Sequence, residues 1–111
     1  MVMSKTQEPL TESYFYILLC LYQGPSHGYG IMQKTLELSQ GHVRIGSGTM
    51  YGATANLMQK GWIEECPPSG TGFERKRMYR LTEAGRQAVL QEIERLNHLT
   101  QVAASVLGGL S

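Results

Sequence analysis

With 111 residues the chain has room for one domain and a modest core, a size at which pairing with a second copy often adds stability. Ten Lys and Arg stand against nine acids, all Glu, so the net charge of +1 excludes a polycation. The longest apolar stretch, Tyr14 to Tyr22, is far below the ~20 residues a membrane-spanning helix needs.

Met1 to Pro9 are polar and unpatterned, as expected of a loose arm. Thr11 is placed to cap a first helix in which Tyr14, Ile17, Leu18, Leu21 and Tyr22 recur at helical spacing, and Gly24-Pro25 stops it. Ser26 is the expected cap of a second helix, Tyr29 to Ser39, ended by Gly41. Val43-Arg44-Ile45 reads as an extended piece able to pair with a later hairpin, inside the turn between two helices.

Ser47 is the expected cap of a third helix running to Lys60 and closed by Gly61. Met50, Ala53, Leu57 and Met58 face inward in this reading. Ser47, Thr49, Tyr51, Thr54 and Asn56 make a small hydrogen-bonding outer face, able to meet phosphates or base edges, and Gly48 and Gly52 allow close backbone approach. Trp62 to Cys66 reads as a strand, Pro67 to Gly72 as a turn, and Arg75 to Leu81 as a second strand. Trp62 is expected to bridge the third helix to the first strand as core. Alternation puts Arg75, Arg77, Tyr79 and Leu81 on one face and Lys76, Met78 and Arg80 on the other. Tyr79 and Leu81 are expected in the core, while Arg75, Lys76 and Arg77 lie nearer a tip that Gly70 and Gly72 keep mobile. From Arg75 to Arg86 there are five basic residues and one acid, Glu83, a local patch suited to phosphate on a near-neutral protein.

The last helix is expected from Thr82 to about Leu107, with Glu83 complementing the dipole of its first turn. Val89, Ile93, Leu96, Thr100, Ala103 and Leu107 form a narrow seam. Such a helix spans ~39 Å, more than a small head can bury, so a homodimer is the economical partner. Two copies would then present their third helices to half-sites about one turn apart, ~34–36 Å, on a palindromic operator. The expected fold is mainly α with a small β hairpin: a winged helix-turn-helix head with its arm (residues 1–81) and a C-terminal dimerisation helix and tail (82–111). In that layout one helix enters the major groove of double-stranded DNA while hairpin cations meet phosphate.

The two cysteines, Cys20 and Cys66, follow no leader-like segment and read as free thiols in a reducing cytoplasm. Cys20 falls on an apolar helix face. Cys66, at a strand end, is the more open and the one a redox change could reach. The three histidines, His27, His42 and His98, are dispersed, and with the cysteines they lack metal-ligand spacing. No nucleophile–base pair or phosphate loop appears, so an enzyme, a cofactor and a metal are not expected.

His27-Gly28-Tyr29-Gly30-Ile31, Gly48-Thr49-Met50-Tyr51, Lys60-Gly61-Trp62-Ile63 and Met78 to Gly85, in that order and spacing, resemble the PadR-like transcriptional regulators. The resemblance runs from about Tyr14 to the C-terminus. It implies a repressor whose groove-entering threonine and tyrosine are Thr49 and Tyr51, and in many relatives a small-molecule effector releases the DNA. No tryptophan lies between Thr82 and Ser111, so the drug-stacking site of some small relatives is not evident, whereas Tyr14, Phe15 and Tyr16 could line a pocket. The chain departs from the family at Gly52, where a proline is common, and at Met58-Gln59-Lys60, where acidic residues are usual. The competing reading is a winged-helix protein-interaction module without DNA readout.

Overall fold

The computed structural model describes residues 8–70, 72 and 76–108. Within them the chain runs α1 (Glu12–Tyr22), β1 (Ser26–His27), α2 (Gly28–Leu38), α3 (Ser47–Gln59), β2 (Ile63–Ser69), β3 (Lys76–Leu81) and α4 (Glu83–Val106). The expected mainly helical winged fold is what forms. The N-terminal arm to Gln7, most of the hairpin tip and Arg75 lie outside the described residues.

Thr11 caps α1 as its sequence suggests, its hydroxyl accepting the Tyr14 N–H at 3.1 Å. The helix then buries Ile17, Leu18, Cys20 and Leu21 against Ile31, Met50, Leu57 and Ile63 of the elements that follow. Two cap expectations are corrected. His27, not Ser26, caps α2, its Nδ1 accepting the Gly30 N–H at 3.0 Å, because the helix begins at Gly28, directly after His27, and the Ser26 hydroxyl donates to the His27 carbonyl instead. Ser47 is the first residue of α3 rather than its cap; that place is Gly46, which offers no side-chain acceptor.

The sheet has the order β1-β3-β2, with Ser26 paired to Tyr79 and His27 to Met78. The third strand is therefore β1 and not Val43-Arg44-Ile45. Val43 has its backbone satisfied locally: its N–H donates to the Ser39 hydroxyl at 2.9 Å and its carbonyl accepts from it at 3.3 Å. Val43 and Ile45 are buried, so this segment plugs the core without joining a ladder. β2 extends through Pro67-Pro68, which were expected in the turn. It is an edge strand, where a missing N–H costs no ladder bond, and the register shifts between Cys66 and Ser69.

Thr82 joins the end of α3 to the start of α4. Its N–H donates to the Trp62 carbonyl at 3.0 Å, its hydroxyl donates to the Gly61 carbonyl at 2.6 Å, and the same hydroxyl accepts the Gly85 N–H at 3.0 Å. Gly85 sits so close that a Cβ there would collide with the Trp62 carbonyl oxygen. Trp62 itself is half-buried against the core, with Lys60 Nζ 5.2 Å from its ring centroid, in keeping with its expected bridging place.

α4 buries Gly85, Ala88, Val89 and Glu92 in its first three turns. Glu92 is held by Arg95 through contacts of 2.9 and 2.6 Å, and this bond raises the Arg95 pKa. From Leu96 to Gly108 every residue except Ala104 is exposed. No helix among the described residues is long and apolar enough to cross a membrane.

Candidate nucleic-acid interface

The beginning of α2, the N-terminal half of α3 and the first residues of β3 converge on a groove of about 490 Å³. Met32, Met50 and Tyr79 form its apolar floor; Tyr29 and Tyr51 stand at its edge, 62% and 74% exposed. Lys76 and Arg77 close it from the wing. The convergence follows from the sheet: pairing Ser26-His27 with β3 brings the start of α2 beside the wing, and the core residues of α3 fix that helix across both.

Of the eight residues expected to meet DNA, the groove gathers Ser47, Tyr51, Thr54, Lys76 and Arg77. Thr54 is buried and its hydroxyl donates to the Tyr51 carbonyl at 3.0 Å, so it shapes the helix from within rather than offering a free donor. Thr49 is exposed and does not line this groove. Asn56 is also exposed, but its Nδ2 donates to the Tyr14 hydroxyl at 2.8 Å and ties α3 to α1. Arg75 lies outside the described residues. The outermost line of α3 is Gly48, Gly52 and Ala55, with open space where each glycine Cβ would stand.

The wing is less basic in three dimensions than along the chain. Glu64 and Glu65 of β2 face the cations of β3: Arg80 Nε lies 2.7 Å from Glu64 and Arg77 Nε 3.3 Å from Glu65. A hydrogen bond to Tyr79 and the Glu65 charge together raise the Arg77 pKa. Arg86 is turned to the other side, 4.9 Å from the Tyr22 ring centroid. Lys76 is the cation of the groove without a carboxylate partner among the described residues. A count confined to Arg75–Arg86 misses the two glutamates because they enter from the neighbouring strand.

His27 and Tyr29 are among the groove residues to which the sequence assigned no contact role. Their signal was the short His-Gly-Tyr segment just before a helix, which acquires its place only once β1 is paired. On α4, the buried line Gly85, Ala88, Val89 and Glu92 continues outward through Leu96, Leu99, Ala103 and Val106, of which Leu99 is 50% and Val106 79% exposed. Val89, assigned to the seam by its spacing, is 1% exposed and belongs to the head's own core. Ile93, Leu96, Thr100, Ala103 and Leu107 are exposed, and Leu99 and Val106 join them on the uncovered face.

Helices, three-stranded sheet and groove together define a winged helix-turn-helix protein. The profile of the transcriptional regulator PadR-like family matches residues 17–92, more than half of the chain, and the protein belongs to that family. It is thus one of a family of regulators, not of enzymes. A 37.1 kDa protein in transposon TN4556 of Streptomyces fradiae is 36% identical over 84 residues, 76% of this chain, which spans only 23% of that relative's length. Among solved structures, a transcriptional regulator of Clostridium thermocellum superposes with a TM-score of 0.72 at 27% identity, covering 83% of this chain and 89% of that one. A PadR family transcription regulator of Clostridium difficile gives 0.72 at 21% identity, over 86% and 98% of the two chains. Bacillus subtilis PadR in complex with operator DNA gives 0.64 at 24% identity, over 72% and 46%.

Proposed function

We propose that the protein is a dimeric, sequence-specific DNA-binding regulator that represses transcription by occupying a palindromic operator. The observation that carries this reading is the groove, where exposed Tyr51 and the start of α3 share one surface with the wing cations Lys76 and Arg77. Thr49 and Tyr51 read the major groove, Ser47 supports them, and Lys76, Arg77 and Arg75 clamp flanking phosphates. Asn56 lies at the far end of the same helix. The B. subtilis relative bound to operator DNA supports this assignment by its fold. The head, residues 1–81, is then the DNA-binding unit and residues 82–111 the dimerisation element, acting in the cytoplasm. The uncovered face of α4, with Ile93, Leu96, Thr100, Ala103 and Leu107, supports the dimer. A small-molecule effector that relieves repression fits the family.

The test is a titration onto the DNA upstream of the protein's own gene and onto scrambled DNA, at low and near-physiological salt. Tight binding to the upstream site that survives salt, with scrambled DNA released, is expected. Equal weak binding to both, together with an empty genome-wide binding selection, would instead favour a protein-interaction module.

A further inference from the structure

We infer that His27 is a preset neutral donor to a DNA backbone phosphate, seated in the groove between the start of α2 and the wing. This inference rests on the DNA-binding reading and adds to it a contact of a different kind from the wing cations.

The argument begins with an unusual cap. Helix N-caps are usually Ser, Thr, Asp or Asn, whose oxygens accept a backbone N–H. Here the acceptor is an imidazole nitrogen, His27 Nδ1, 3.0 Å from the Gly30 nitrogen. Gly30 makes room for it: a Cβ there would lie 3.3 Å from His27 Cε1 and 2.5 Å from the Ser26 hydroxyl. A ring nitrogen that accepts a hydrogen bond carries no proton, so this geometry assigns the ring proton to Nε2. Among the described residues no side chain or carbonyl accepts from Nε2.

The ring lines the groove beside other side chains able to donate. Tyr29 accepts from Gln33 Nε2 at 2.9 Å, which leaves its own hydroxyl proton to be given. Tyr51, Lys76 and Arg77 complete the set, and no carboxylate lines the groove. Arg77 already leans on Glu65 from the wing side, but His27, Tyr29, Tyr51 and Lys76 converge with no carboxylate among them, and such donors call for an anionic oxygen. The position, between the groove-entering helix and the wing, is where a strand's phosphates pass when both elements engage a duplex. The backbone of His27 is pinned to β3 through Met78, so the donor is placed before DNA arrives.

His27→Ser keeps a cap oxygen but removes the long-reaching donor. It should fold with a melting temperature near that of the wild type and bind random duplex about ten-fold more weakly, the size expected for one hydrogen bond to a charged acceptor. Because the donor is neutral, the slope of log affinity against log salt should stay as in the wild type. Lys76→Ala, which removes a cation, should lower that slope by about 0.9. Nitrogen NMR of the wild-type His27 ring should show Nε2 protonated and its signal moved on adding the duplex, a readout that does not depend on the variant folding. Unchanged affinity of His27→Ser, a reduced salt slope, or a ring protonated at Nδ1 would each overturn the inference. A wild-type protein that binds no duplex would overturn the DNA reading and this one with it.

Discussion

Tyr51 stands 74% exposed beside a carbonyl already satisfied by Thr54, so its phenol is free to meet bases without cost to the helix. Tyr51→Ala should weaken binding to the specific site by about ten- to a hundred-fold, the usual cost of losing one base contact, and to random DNA far less. Equal loss on both duplexes, measured by fluorescence anisotropy, would remove Tyr51 from readout. The two thiols should part company in the same spirit. Cys20 is buried, with Thr35 Oγ1 at 3.6 Å, whereas Cys66 is half-buried at the wing, so native protein should be alkylated at Cys66 well before Cys20. Burial pushes the Cys20 thiol above its ordinary pKa of 9.0. The folded chain then keeps a proton that the unfolded chain sheds, so Cys20 stabilises below that pH and its contribution falls as pH rises further. Urea melts above pH 9.0 should lose stability more gently in Cys20→Ala than in the wild type.

At the level of elements, most of the fold was legible in the sequence because caps, glycine stops and period-specific spacing act locally. Thr11, Gly61 and Thr82 mark real boundaries for that reason. The errors fell where a distant partner decides. Val43-Arg44-Ile45 has the composition of a strand, but Ser39 takes its backbone bonds, and Ser26-His27, too short to read, completes the sheet. The charge of the wing also depends on pairing, since Glu64 and Glu65 face Arg80 and Arg77 only after β2 and β3 pair. The site was less legible than the fold: Tyr51, Lys76 and Arg77 share a groove, but His27 and Tyr29 reach it through β1. Gly85 offers a direct test of the junction between elements. Gly85→Ala should destabilise by about 1–3 kcal/mol, the cost of overpacking, because its Cβ meets a backbone carbonyl that cannot turn away. A denaturation midpoint equal to the wild type would show that the junction yields.

At the scale of the whole molecule, the outer half of α4 projects with its apolar face exposed. A face carrying Leu96, Leu99, Ala103 and Val106 beyond the head is what a second copy would bury, and Leu99→Asp should convert the proposed dimer to a monomer in sedimentation velocity. Specific binding should fall with it while binding to random DNA remains, since half-site spacing needs two heads. A wild type that sediments as a monomer would remove the dimer altogether. The seam's phase was only partly legible because two apolar lines run along this helix, and only packing shows which one the head continues: Val89 turns inward while Leu99 and Val106 stay out. The Thr82 junction has a mechanical consequence here. One hydroxyl grips the Gly61 carbonyl just past α3 and the Gly85 amide in the first turn of α4, and the Thr82 N–H adds a bond to the Trp62 carbonyl, so three hydrogen bonds fasten the start of α4 to the end of α3. Torque applied to the projecting turns of α4 is therefore delivered to the end of α3, as a handle turns the blade it is riveted to.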